Sequence, residues 1–147
     1  MADPVERSQF SFFFPIRVRY SEVDGQSVVY NAHYLTYFDV GLHEFFRAGG
    51  CDYVRLMADA GVDSRVVHAS VDYLAPVAFD DRIEIAARVA RIGRSSITYE
   101  LAIFAASLPE AKARGTIVWV VADNESGKST EIPPAVRSAL EHLHPLP

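Results

Sequence analysis

The chain has 147 residues, the size of one ordinary domain, and with half of them hydrophobic it can bury a core without disulfides or metal. A net charge of -5, from 14 basic and 19 acidic residues, excludes the basic footprint that a nucleic-acid partner demands. The single cysteine, Cys51, excludes an internal disulfide, and with neither a signal peptide nor an apolar run long enough to cross a membrane a cytoplasmic protein is expected.

One domain is expected over residues 1–147, with residues 1–9 as a loose terminus. From Phe12 to Tyr20, Ile16, Val18 and Tyr20 alternate with Arg17 and Arg19, the period of a half-buried strand. Asp24-Gly25 is a turn signal that breaks the alternation. Asn31 is a suitable N-cap for a helix of about 17 to 18 residues, whose apolar stripe runs through Leu35, Phe38, Leu42 and Phe45 and which Gly49-Gly50 terminates. Residues 51–63 read as a short helix or irregular segment. Four alternating runs follow, centred on residues 67–73, 83–89, 97–103 and 113–121, and Pro133-Pro134 opens a short C-terminal helix within residues 131–147. Five strands with one long helix between the first and second make an α+β pattern.

The pattern Asp24-x-x-x-Val28-Val29-Tyr30-x-x-x-Tyr34, followed by Val71-Asp72-Tyr73-Leu74-Ala75-Pro76 and Phe79-Asp80-Asp81-Arg82, resembles the hotdog-fold acyl-CoA thioesterases of the 4-hydroxybenzoyl-CoA thioesterase type over roughly residues 13–122. The resemblance implies a five-stranded antiparallel sheet wrapped around one long central helix, a homodimer or homotetramer with sites between subunits, and hydrolysis of an acyl-CoA to acid and free CoA without a cofactor. Asp24 matches the catalytic acid and the backbone amide of Asn31 matches the donor to the carbonyl oxygen. Ser27 stands where the family often has Gly, and Asn31 where several members have His. Two rivals stay open: a non-catalytic acyl-CoA-binding hotdog protein, and a hotdog dehydratase or hydratase, which pairs its acid with a nearby His. Here the first His downstream of Asp24 is His33.

The chemistry would be sparse. A helix start leaves up to four N–H groups unpaired and carries partial positive charge, so it stabilises an oxyanion, and a nearby carboxylate either attacks the thioester or deprotonates water. An acid beside Gly otherwise serves turn hydrogen bonding. Tyr20 could bond near the acid, although core packing is the plainer reading, and Asp39 on the helix is the reserve acid. Ser27 lacks a nucleophile elbow, and Cys51 reads as a small buried residue. His33 and His43, ten residues apart, do not make a metal pair, and no metal site is expected. Arg91, Arg94 and Ser95 sit at a turn between strands. That is usually a solvated edge, but the resemblance implies that they could meet CoA phosphates from the partner subunit.

Overall fold

The structure, a computed structural model, describes residues 4–144. Strands β1 (Phe13–Arg17), β2 (Val62–Tyr73), β3 (Arg82–Ile92), β4 (Ser96–Ala105) and β5 (Ala111–Asp123) form one sheet in the order β1-β3-β4-β5-β2. Every neighbouring pair is antiparallel. Helices α1 (His33–Ala48), α2 (Tyr53–Asp59) and α3 (Pro134–Leu143) complete the chain. This is the hotdog arrangement expected, with α1 as the central helix.

The period of two decides which face of each strand meets α1. Ile83, Ile85, Ala87 and Val89 of β3 and Ile97, Tyr99, Leu101 and Ile103 of β4 all face the core beside Phe38, Leu42 and Phe46 of α1. Burying each large side chain contributes about 1.5–3 kcal/mol relative to leaving it in water. Two glycines set how closely the layers approach. A Cβ at Gly41 of α1 would lie 2.3 Å from Ile85 Cγ2, and one at Gly115 of β5 would lie 2.4 Å from both Phe38 Cε2 and the Ser70 carbonyl oxygen. Helix and sheet therefore meet without a side chain between them at these points.

Several expected boundaries shift. The helical stripe rotates to Tyr34, Tyr37, Phe38, Gly41, Leu42, Phe45 and Phe46, leaving Leu35 41% exposed. The second strand begins at Val62, five residues earlier than the alternation indicated. Val67 interrupts its pairing as a bulge, so a two-residue period is lost before residue 67. The regular pairing of the first strand ends at Arg17, because at the next step Val18 bonds two residues across, its amide to the Asp81 carbonyl and its carbonyl to the Asp80 amide, as in a bulge.

Of the terminus expected to be loose, residues 4–9 are docked, while residues 1–3 lie outside the described residues, as do residues 145–147 of the tail. Arg7 bonds the Leu108 and Ala105 carbonyls and the Glu84 carboxylate, and its guanidinium lies over the Phe13 and Phe104 rings at 4.7 and 4.9 Å. Phe10 joins Ala86, Ala102 and Phe104 in a second cluster on the outer face of the sheet. Polar composition conceals this anchoring, which the Arg7 guanidinium and Phe10 share with a Glu6–Glu110 bridge and the bond from Arg88 to the Gln9 carbonyl.

Candidate active site

Between β1 and α1 the chain forms a 3-10 turn over Tyr20–Glu22 and then a small hairpin. Val23 and Val29 bridge its base, the Asp24 amide donates to the Val28 carbonyl at 2.9 Å, and the Ser27 amide donates to the Asp24 carbonyl at 3.0 Å. A three-residue hairpin loop of this pattern needs its last residue in the left-handed region. Ser27 occupies it at φ 62°, and Gly25, the residue that signalled the turn, does not. The family's preference for Gly at position 27 is thus a backbone requirement that serine meets at a cost of about 1–2 kcal/mol. The loop shape survives the substitution.

Asp24 is half-buried. Its Oδ1 accepts the Gln26 amide at 2.8 Å, an Asx turn, while Oδ2 has no hydrogen-bond partner among the described residues. The turn role and a chemical role are compatible, since each uses a different oxygen.

Asn31 is not the N-cap. Ala32 holds that position, already in helical conformation and with no side-chain cap, because the His33 amide closes a turn onto the Tyr30 carbonyl at 2.9 Å. The Asn31 carbonyl accepts the Tyr73 hydroxyl at 2.9 Å and the Tyr34 amide at 3.4 Å. The amides of Asn31 and Ala32 have no acceptor among the described residues. The Tyr30 amide is bound to the Glu22 carbonyl at 2.9 Å, which ties the base of the hairpin carrying Asp24 to the residue just before these two free N–H groups.

Glu22 was overlooked in the sequence. It is 7% exposed, and its carboxylate accepts the Arg19 amide at 2.8 Å, the Arg19 guanidinium at 3.1 Å and the Tyr37 hydroxyl at 2.9 Å. Burial pushes the carboxyl up, but the bonds from the Arg19 side chain and amide and from Tyr37 outweigh it and hold the group below its ordinary value. Burial, and next the bond to Glu22, raise the Tyr37 phenol. A signal existed: Ile16, Val18, Tyr20 and Glu22 share one parity, and the inward side of a strand continues to Glu22. The 3-10 turn then swings Tyr20 outward to 79% exposure, against the Phe79 ring at 5.7 Å, which corrects the core reading for Tyr20.

The remaining candidates lie apart. Asp39 is exposed on α1, 3.7 Å from His43 Nδ1. Arg91, next to last in β3, follows a bulge, and Arg94 and Ser95 occupy the following turn, tied through the Arg94 carbonyl to the Ile132 amide and the Ser95 carbonyl to the Val121 amide. Because Arg82 pairs with Arg17 at the loop end of β3, this turn is at the opposite end of an 11-residue strand, on the order of 30 Å away at about 3.4 Å per residue. One protomer does not bring the two groups together. Burial, with Asp52 adding to it, raises the Cys51 thiol and keeps it an inert neutral group. Among the described residues no cluster of three or more His, Cys, Asp or Glu is placed to hold a metal, and no helix is long and apolar enough to cross a membrane.

The model of the thioesterase superfamily matches residues 26–112, a span that begins two residues after Asp24. The chain is 27% identical over 132 residues to the acyl-CoA thioesterase YbgC of Haemophilus influenzae, covering 90% of this chain and 96% of that protein. The crystal structure of the PA5185 protein from Pseudomonas aeruginosa superposes with a TM-score of 0.82 at 38% identity, covering 97% of each chain. A thioesterase from Thermus thermophilus solved in complex with coenzyme A and Zn superposes with a TM-score of 0.75 at 27% identity, covering 93% of this chain and 98% of that one. With the fold, the loop and these likenesses in agreement, the chain belongs to the thioesterase superfamily and is a hotdog thioester hydrolase.

Proposed function

We propose that the protein hydrolyses an acyl-CoA to carboxylic acid and free CoA, with the Asp24 carboxylate as nucleophile or general base and the Asn31 and Ala32 amides as oxyanion donors. The observation that carries this reading is that one short segment holds both a carboxylate oxygen without a partner and, seven residues on, two N–H groups without acceptors among the described residues. A thioester carbonyl is already electrophilic and its thiolate leaves readily, so an acid and two donors suffice. Asp24 either adds to the carbonyl, expelling CoA thiolate and leaving a mixed anhydride that water opens, or takes a proton from the water that attacks. Either route places negative charge on the carbonyl oxygen before the thiolate departs, and that charge is what the α1 N-terminus stabilises. The coenzyme A bound by the Thermus thermophilus relative supports CoA as the carrier group.

The working unit is a dimer formed along β2. That strand is a 12-residue edge with Val66 and Val67 62% and 60% exposed, an unpaired template for a second copy. Two-fold pairing of β2 with the partner's β2 runs the strands antiparallel, so the far end of the partner's sheet lies beside this protomer's Asp24 loop. The partner subunit's Arg91, Arg94 and Ser95 then approach the CoA phosphates that one protomer could not reach.

Asp24→Asn tests the reading cleanly, because an amide oxygen can still accept the Gln26 N–H and preserve the loop. In a thiol-release assay over aromatic, short and long acyl-CoAs, the variant is expected to lose at least about a hundredfold in kcat while still binding substrate. Undiminished turnover by Asp24→Asn refutes the assignment.

A further inference from the structure

We infer that Tyr73 is a positioning residue of the hydrolytic site, its hydroxyl holding the Asn31 carbonyl so that the neighbouring amides face the thioester oxygen. The inference rests on the proposed hydrolysis and adds to it a residue that acts through the Asn31 carbonyl and has no bond to Asp24 among the described residues.

A peptide group is planar, so fixing a carbonyl also fixes the N–H across the same C–N bond. The Tyr30–Asn31 peptide is held by the His33 amide at 2.9 Å, which turns the Asn31 N–H the opposite way. The Asn31–Ala32 peptide has a longer internal tie, the Tyr34 amide at 3.4 Å. Its shorter bond comes from outside the helix, from Tyr73 at the end of β2, at 2.9 Å. Tyr73 thereby sets the direction of the Ala32 N–H and steadies the residue that carries the other free amide. A first helical turn without a side-chain cap is prone to fray, and this bond supplies the restraint that the missing cap does not.

The phenol is itself held in place. Its ring meets the buried Tyr34 ring edge-on at 4.8 Å, and the strand registers Tyr73 opposite Ala113. Yet Tyr73 is 54% exposed in the single protomer, so deleting its hydroxyl removes one hydrogen bond and no contact with the protomer's core. Orientation and folding can therefore be separated experimentally.

The test compares wild type, Tyr73→Phe, Tyr73→Leu and Asp24→Asn by steady-state thiol release from one CoA ester, with thermal unfolding of each. For Tyr73→Phe the expectation is a fall in kcat of about tenfold, KM within about twofold, and a thermal midpoint within about 2 °C of wild type. Tyr73→Leu should match it in kcat and unfold at a lower temperature, having lost the ring contact to Tyr34. Wild-type kcat in Tyr73→Phe overturns the inference, as does a raised KM at unchanged kcat, which would make the residue a wall of the acyl site. A kcat loss accompanied by a midpoint drop of more than about 5 °C makes it structural and also overturns it. If Asp24→Asn is inactive in the same experiment, such a failure belongs to Tyr73 alone. If wild type releases no thiol, or Asp24→Asn is fully active, the hydrolysis reading falls and the inference falls with it.

Discussion

The Tyr37 hydroxyl donates to the Glu22 carboxylate at 2.9 Å, joining the second turn of α1 to the base of the hairpin that carries Asp24. A buried carboxylate is retained only where bonds replace its lost water, and here the partners come from the 3-10 turn and from the helix.

Glu22→Ala should cost about 1–3 kcal/mol at pH 7, since it leaves the Tyr37 hydroxyl and the Arg19 amide without their acceptor. The folded-state carboxyl lies below its ordinary value of 4.5, so its contribution is fully present above about pH 4.5 and is lost as pH falls through the depressed value. The gap between wild type and Glu22→Ala in denaturant titrations should accordingly narrow as pH falls below about 4.5 through the depressed value, leaving the packing and donor cost. A gap that stays constant into acid would show that the cost comes from packing and not from ionisation.

At Ser27 the prediction is a gain. Ser27→Gly relieves a left-handed side chain but makes the unfolded chain more flexible, for a net stabilisation of about 0.5–1 kcal/mol with the hairpin unchanged. Chemical denaturation measures it, and a destabilised variant would mean that the serine side chain supports the loop in some other way.

Gly115→Ala and Gly41→Ala should differ in severity. The alanine methyl at 115 meets a backbone carbonyl and a ring, neither of which can move far, and should cost about 3 kcal/mol or more. At 41 it meets the branched Cγ2 methyl of Ile85, which a χ1 change can turn away, with the Ile85 Cβ at 3.0 Å behind it, and about 1–3 kcal/mol is expected. Unfolding midpoints that ranked the two the other way would contradict this account of how α1 is seated.

Arg91→Ala and Arg94→Ala should each raise KM for a CoA ester by about threefold to tenfold and leave kcat unchanged, with the effect shrinking as salt is raised. Kinetics at two ionic strengths, repeated with an acyl-pantetheine that lacks the nucleotide, check it. Equal losses on both substrates would remove the phosphate role.

Much of this was written openly in the chain. The alternations of β3, β4 and β5, the length of α1 and the Gly49-Gly50 stop follow from spacing alone, because one buried face enforces one period. The site was legible only in part. Asp24 and the Asn31 amide, the acid and donor of the proposed site, come from a motif, whereas Glu22 is hidden because an acid amid tyrosines looks like loop polarity until its bonds to Arg19 and Tyr37 are seen. The Tyr73 contact joins residues 42 apart in sequence, and no local pattern reports a bond across that span. Asn31 misled for a related reason: its side chain suits a cap, but the turn from Tyr30 to His33 moved the helix start one residue on.

The two margins of the sheet are unequal. β1 has five residues with Pro15, which lacks an N–H, at its centre, while β2 offers twelve. In the proposed dimer the one adhesive margin of each sheet is used, and only the proline-bearing borders face outward. Growth by strand addition would then be self-terminating, and a long bare strand that would seed fibres in another protein would stop at a closed pair.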